Sequence, residues 1–169
     1  MKLIAAVDKN WGIGLRGRLL TQIREDQLRF RRLTMGKVVV MGRKTFESIQ
    51  GGRPLPGRRS FVLSADPDFA PRSMEQAPVQ VFRSLDALKK ALEAYAPEDV
   101  FVIGGETMYR QLLPLCDEAE ITYIDYAYEA DAYCPDLDAD PAWKLVSESD
   151  EQISFNLEYY YRIYIRERV

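Results

Sequence analysis

The run Val38-Val39-Val40-Met41-Gly42-Arg43-Lys44-Thr45-Phe46-Glu47-Ser48-Ile49 joins a continuously apolar segment to a glycine and then to a short helix-like stretch. Three β-branched residues in a row, with no polar alternation, predict a strand covered on both faces, as in a parallel sheet. The glycine then brings two cations and a hydroxyl to a helix start, where backbone N–H groups and the helix dipole favour an anion. Val100-Phe101-Val102-Ile103-Gly104-Gly105-Glu106-Thr107 repeats the pattern of buried strand, glycine turn and helix start. Neither turn has GxGxxG or GxxxxGK[ST] spacing, so the ordinary dinucleotide and P-loop fingerprints fail. Each alone would be only a turn. Together they point to a ligand with several phosphates at the C-terminal edge of a parallel sheet, where doubly wound folds bind their ligands.

Outward from these runs, strands and helices alternate. Lys2 to Val7 is a buried-strand run, and Asp8 to Gly14 is rich in turn residues. A helix is predicted from about Ile23 to Leu33, closed by Met35-Gly36, and a short one from Gly42 to Ile49. Gly51 to Gly57 is a rigid loop, Ser60 to Leu63 a strand, and Asp66 to Pro78 a Pro-rich surface loop. Val79 to Phe82 is a short strand, Ser84 caps a helix from Leu85 to Tyr95, and another helix runs from Glu106 towards Leu115. Ile121 to Tyr128, Trp143 to Ser149 and Phe155 to Ile165 then follow as strands without helices between them, which favours antiparallel pairing. The expectation is one α/β domain over residues 1–169, with a mostly parallel central sheet, antiparallel C-terminal strands and helices on both faces.

Composition narrows the function. The chain has 169 residues, 47% of them hydrophobic, and a net charge of −3, which argues against a general nucleic-acid binder. Its cations cluster in the first third, among them Arg16, Arg24, Arg43, Lys44 and Arg58, as a small anionic ligand would require; a solvated surface accounts for most of them equally well. There is no histidine, which removes Ser-His-Asp and Cys-His nucleophiles and imidazole metal sites. Cys116 and Cys134 lack metal or redox spacing, and Cys116 reads as a small core residue. No secretory signal or membrane-length apolar run is present, so the cytosol is the expected location.

One carboxylate stands out. On the predicted helix Ile23, Asp26, Phe30 and Leu33 share a face, while Arg24, Glu25, Arg29, Arg31 and Arg32 take the solvated directions. An acidic residue among apolar ones has either a partner or a job; a capping or salt-bridged Asp and a functional one are about equally compatible with the pattern.

These segments resemble dihydrofolate reductase in order and spacing, over the whole chain. Leu3-Ile4-Ala5-Ala6-Val7-Asp8 to Trp11-Gly12-Ile13-Gly14 is similar to the family's first strand and mobile loop, and Glu25-Asp26 with Phe30, Thr34 and Gly36 to its catalytic helix. Val40 to Ile49 is the most specific run, followed by Leu55-Pro56-Gly57-Arg58, Val62-Leu63-Ser64, Val102-Ile103-Gly104-Gly105 with Tyr109, and Thr122 with Asp125, Asp131 and Pro135. The resemblance implies NADPH-dependent reduction of 7,8-dihydrofolate by hydride transfer to pterin C6 with protonation at N5. It implies a small-molecule substrate, antifolate binding, no nucleic-acid or membrane partner, and a monomer.

By the same resemblance Asp26 is the catalytic residue and pterin anchor, supported by Thr122, with solvent delivering the N5 proton. Phe30, Ile49 and Leu55 would flank the rings, the carbonyls of Ile4 and Ile103 would face the pterin amino groups, Gln27 would reach the pterin side or the tail, and Arg58 would grip the glutamate α-carboxylate. For the cofactor the resemblance implies Ala6, Ile13 and Gly14 at the nicotinamide, and Gly42, Arg43, Lys44 and Thr45 at the phosphates. Leu63, Ser64 and Arg83 would lie towards the 2′-phosphate, and Ile103, Gly104, Gly105, Glu106, Thr107 and Tyr109 would form the second turn, with a cis Gly-Gly peptide. Five positions depart from the family pattern: Leu20-Thr21 in place of a Trp-containing stretch, Arg24 in place of a helix-starting Pro, Gln27 in a pocket position commonly Leu or Met, and Glu106, expected to point away from the phosphates. The related reductase domain of riboflavin synthesis and a binding-only module are the alternatives; Asp26, Phe30 and Arg58 favour a folate reductase.

Overall fold

The computed structural model describes residues 1–168. From the N-terminus the chain forms β1 (Lys2–Val7), β2 (Gly12–Leu15), β3 (Arg18–Leu19), α1 (Arg24–Thr34), β4 (Val38–Gly42), α2 (Arg43–Ser48), β5 (Arg59–Leu63) and β6 (Val79–Phe82). It continues through α3 (Leu85–Leu92), β7 (Val100–Gly104), α4 (Glu106–Leu112), β8 (Glu118–Ile124), β9 (Ala132–Tyr133), β10 (Trp143–Glu148), β11 (Gln152–Ser154) and β12 (Leu157–Arg166). Among these residues the main sheet has nine strands in the order β10-β12-β8-β1-β7-β4-β5-β6, with β11 on β12; β3-β2-β9 form a small second sheet. The six strands from β8 to β6 are parallel, and β10, β11 and β12 are antiparallel.

The valine run explains the layering. Successive side chains of a strand point to opposite faces. Val38 and Val40 turn to the side covered by Leu88 and Leu92 of α3 and Met108 and Leu112 of α4. Val39 and Met41 turn to the other, against Phe46 of α2 and Phe30 of α1. Each valine buried in this way contributes about 1.5–3 kcal/mol, which is why β4 carries no polar residue before Gly42.

Three expectations are corrected. Ile121 to Tyr128 does not begin the antiparallel tail: β8 starts at Glu118, ends at Ile124, and pairs in parallel with β1 from Lys2↔Glu118 to Val7↔Tyr123. The crossover is supplied by α4, and the strand stops where Tyr126 N–H bonds back to the Ile124 carbonyl. Ile23 lies outside α1, an extended N-cap residue without a capping side chain. The helix after Ser84 ends at Leu92, with Ser84 capping it as expected through Ala87 N–H at 3.1 Å. The small β3-β2-β9 sheet left no trace in the sequence pattern, because two- to four-residue strands are too short to show alternation.

The turn after β1 is organised by a second carboxylate. Asp8 is fully buried, and it accepts backbone N–H bonds from Asn10 (2.9 Å), Gly12 (2.8 Å) and Tyr128 (2.9 Å). It thereby ties the β1–β2 turn to the segment before β9. Nearby, Asp131 N–H donates to the Gly14 carbonyl at 3.0 Å, and the Asp131 carboxylate accepts Arg16 N–H at 3.0 Å. A Cβ on Gly12 would lie 2.8 Å from the Ala130 Cβ, so glycine is required for the approach. Replacing Asp8 by Ala orphans buried donors and is expected to cost about 3–5 kcal/mol in urea unfolding, while Asp8→Asn, which keeps one acceptor oxygen, should lose less than half of that.

Candidate active site

The parallel strands all end at one edge of the sheet, and there β1 and β7 part. β1 pairs with β7 only at Lys2 and Leu3 but stays paired with β8 as far as Val7. Beyond Leu3 the sheet is split, and a cleft opens between the two strands beneath α1. The Ile4 carbonyl, released from the ladder on the β7 side, accepts the Tyr109 hydroxyl at 2.7 Å. Tyr109 is wholly buried on α4, and burial pushes its phenol well above the ordinary range, so it remains a donor.

Asp26 sits in the first turn of α1. Its Oδ1 accepts the hydroxyl of buried Thr122, on β8, at 2.5 Å. Burial raises the Asp26 carboxyl above its ordinary value; the Thr122 hydrogen bond and the charge of Arg29 pull it back. Phe30, Ile49, Leu55 and Ile103 join one apolar wall built on Val39 and Met41, and Gln27 lies exposed at its rim. The expected buried stripe is corrected here: Ile23 is buried, but Asp26, Phe30 and Leu33 are only half-buried, because that face of α1 lines an open cleft.

At the far end of α1 is Arg58, only 4% exposed. Its Nε donates to the Pro56 carbonyl at 3.0 Å and its Nη1 to Thr34 Oγ1 at 3.3 Å, the only hydrogen bonds its side chain makes among the described residues. Burial, and then the neighbouring Arg31, lower its pKa. A buried guanidinium facing only neutral oxygens has donors to spare for an anion.

The opposite wall comes from the two glycine turns. Gly42 and Gly105 precede α2 and α4 without giving either helix a side-chain cap, which leaves first-turn N–H groups free. The turns are neighbours: a Cβ on Gly105 would come within 3.4 Å of Thr45 Oγ1 and one on Gly42 within 3.4 Å of Met108 Cγ. The Gly104–Gly105 peptide is cis. Lys44 is exposed at this mouth, while Arg43 pairs with Glu47 at 2.9 Å. Glu106 is turned aside, accepting Tyr133 N–H at 2.8 Å and meeting Arg110 at 3.6 Å, and Thr107 is exposed beside it. Ala6 of β1 and Ile13 of β2 are half-buried, and Gly14 of β2 is buried. Leu63 ends β5 and buried Ser64 follows it; Arg83 reaches the carbonyls of Ser64 (3.3 Å), Phe69 (2.8 Å) and Asp66, bracing the loop between them.

A family model described as dihydrofolate reductase matches residues 1–168. The chain belongs to the dihydrofolate reductase family. It is 35% identical to the dihydrofolate reductase of Bacillus subtilis (strain 168) over 94% of this chain and 91% of that protein, and 44% identical to that of Mycobacterium leprae (strain TN) over 73% and 71%. A solved dihydrofolate reductase from Enterococcus faecalis, complexed with NADP(H) and RAB-propyl, superposes with a TM-score of 0.82 at 30% identity, covering 99% of this chain and 96% of that one. The protein is thus an enzyme of folate metabolism, an oxidoreductase, with the α/β architecture of its family.

For a dihydrofolate reductase the cysteines are bystanders: both are buried, and burial pushes the Cys116 thiol up to about 12 and Cys134 higher still. Among the described residues no cluster of acidic and cysteine side chains could hold a metal. The sequence reading assigned Arg29 to solvent, and this is corrected: Arg29 Nη2 lies 2.8 Å from Glu120 Oε2 at the helix–sheet interface. The signal was Glu120 itself, a carboxylate between Ala119 and Ile121 in a buried strand.

The raised Asp26 pKa has a stability consequence. Its ionised form is disfavoured by folding, so the protein loses stability as pH rises through the folded-state pKa, and the penalty vanishes below the unfolded value of about 3.9. Asp26→Asn, which removes the charge and keeps an acceptor for Thr122, is expected to raise the urea midpoint at pH 7 and to leave it near wild type at pH 3.5.

Proposed function

We propose that this dihydrofolate reductase binds its substrate lengthwise along α1, pterin at Asp26 and glutamate tail at Arg58, and that residues 1–169 act as one catalytic domain. The observation that carries the reading is the pairing of a half-buried carboxylate with a buried guanidinium that has no acidic partner among the described residues, one at each end of the same helix. Asp26 and Thr34, which meets Arg58, are eight residues apart, about 12 Å along the axis, on the scale of a pterin joined to an aminobenzoyl group. The apolar wall of Phe30, Ile49, Leu55 and Ile103 runs between them.

NADPH, when bound, supplies the hydride that reduces C6 of 7,8-dihydrofolate. The donor set suits it: the uncapped first turns of α2 and α4, Thr45 Oγ1, Lys44 and Arg43 converge at one mouth and would hold the diphosphate, with Gly104 and Gly105 leaving room for it. Ser64 and Arg83 would face the 2′-phosphate, and Ala6, Ile13 and Gly14 the nicotinamide. Asp26 accepts hydrogen bonds from the pterin 2-amino group and N3, and its negative charge favours a proton at N5, which water delivers from the open side. Tyr109 holds the Ile4 carbonyl in place through its hydroxyl. The net charge of −3 suits a small-molecule enzyme without nucleic-acid or membrane partners. No helix among the described residues is long and apolar enough to cross a membrane, and a cytoplasmic monomer that binds antifolates in the same cleft is the form we propose.

The purified protein should oxidise NADPH in the presence of dihydrofolate and not in its absence; no dihydrofolate-dependent oxidation would overturn the reading. Asp26→Asn should lower turnover at pH 7 by on the order of 10²–10³-fold, as loss of a preorganised charge that stabilises the transition state does. Arg58→Lys, which keeps the charge and loses the planar fork, should raise KM for dihydrofolate about tenfold while kcat stays within about twofold, about 1.4 kcal/mol of uniform binding.

A further inference from the structure

Glu120 lies in the middle of β8, flanked by fully buried Ala119 and Ile121 and paired opposite Ile4 of β1. At 6% exposure its carboxylate needs a partner. The partner comes from α1: Arg29 Nη2 stands 2.8 Å from Glu120 Oε2, its side chain 17% exposed, and its guanidinium lies over the Tyr161 ring at 4.2 Å from the centroid. Glu120 and Thr122 are two apart on β8 and so share a face; Tyr161 of β12 is the cross-strand neighbour of Thr122. Asp26 and Arg29 are three apart on α1 and so share a face of the helix. Two contacts therefore run side by side across one helix–sheet interface, Asp26 to Thr122 and Arg29 to Glu120, with Tyr161 flooring both.

We propose that Arg29, held by Glu120 and Tyr161, is a positioning residue that sets the charge state of Asp26 and keeps its carboxylate free for substrate. The consequence for catalysis rests on the reading of Asp26 as the pterin-binding group. One cation serves two carboxylates. Its charge favours the ionised form of Asp26, second to the Thr122 hydrogen bond, while Glu120 draws the guanidinium back towards the sheet. Without Glu120, Arg29 would be free to close an i,i+3 ion pair with Asp26 and occupy the acceptors that the pterin needs. From β12, Tyr161 faces Asp26 with its phenol pushed up by burial, and its ring meets Tyr159 edge-on. On β1, Ile4 and Ala6 share this face, and the charge of Lys2 at its far end is paired with Glu118 at 3.0 Å.

The test is a titration of the Asp26 carboxyl by carbon NMR on the ligand-free protein, in wild type, Arg29→Gln, Arg29→Lys, Glu120→Gln and the double variant Arg29→Gln/Glu120→Gln, which leaves no unpaired buried charge should the single changes unfold. The Asp26 pKa should rise by about 0.5–1 unit in Arg29→Gln, rise by less in the double variant, stay near wild type in Arg29→Lys, and fall in Glu120→Gln. In turnover the acid limb of the kcat/KM profile should move in the same directions, and Glu120→Gln should raise KM for dihydrofolate several-fold. An Asp26 pKa unchanged within about 0.2 unit across the set, or shifts of opposite sign, would overturn the proposal. Failure of the wild type to turn over dihydrofolate would instead remove the functional reading, while the NMR titration still decides the role of Arg29.

Discussion

The early parting of β1 from β7 is the constraint from which the rest of the site follows. Two parallel strands that stayed paired to their ends would leave no cleft; here β1 keeps β8 and gives up β7 after Leu3. The backbone groups released on that side need partners, and Tyr109 supplies one by bonding the Ile4 carbonyl. α1 then lies over the gap with its inward face only half-covered, so a carboxylate at position 26 is dry enough to be perturbed and open enough to meet a ligand. The same packing sets the opposite wall, because β4 and β7 remain neighbours and bring their glycine turns together.

Polar groups in this cleft are arranged against the interests of stability. Asp26 is raised by burial, and Arg58 is buried against neutral oxygens. Each arrangement is one that a protein selected only for folding would avoid, since an unpaired charge near the interior is costly. On the substrate orientation proposed above, both become favourable when the ligand brings hydrogen-bond donors to one end of α1 and an anion to the other. The Arg29–Glu120 pair is the contrasting case: its two charges satisfy each other, and it gains meaning only through its neighbour one rung away.

Much of this was legible in the sequence. The unbroken valines of β4 announced a strand covered on both faces, and the glycine after each of β4 and β7 announced a helix start at the same sheet edge. Asp26, Phe30, Ile49, Leu55 and Ile103 were named from sequence and lie around one cleft. What escaped was anything decided by long-range register. β8 looked like the start of an antiparallel tail because its pairing with β1 depends on residues more than a hundred positions away. Arg29 looked solvated because helical periodicity places it on a flank, and only the fold puts Glu120 opposite it. Asp8 read as one more turn residue, since nothing local shows that Tyr128 would supply its third donor.

With Ile13 and Gly14 at the nicotinamide, as proposed above, the knot around Asp8 and Asp131 bears on affinity as well as on folding. Both carboxylates hold backbone N–H groups, and between them they anchor the hairpin from Gly12 to Leu19 to the segment that leads into β9. A hairpin left loose until a ligand arrived would subtract the cost of freezing it from the binding free energy, roughly 1–2 kcal/mol for every residue fixed. A residue already in place spares that cost, and each 1.4 kcal/mol so spared is about a tenfold tighter dissociation constant. The anchoring runs through main-chain groups, so the exposed side chains of Arg16 and Arg18 near the tip take no part in it.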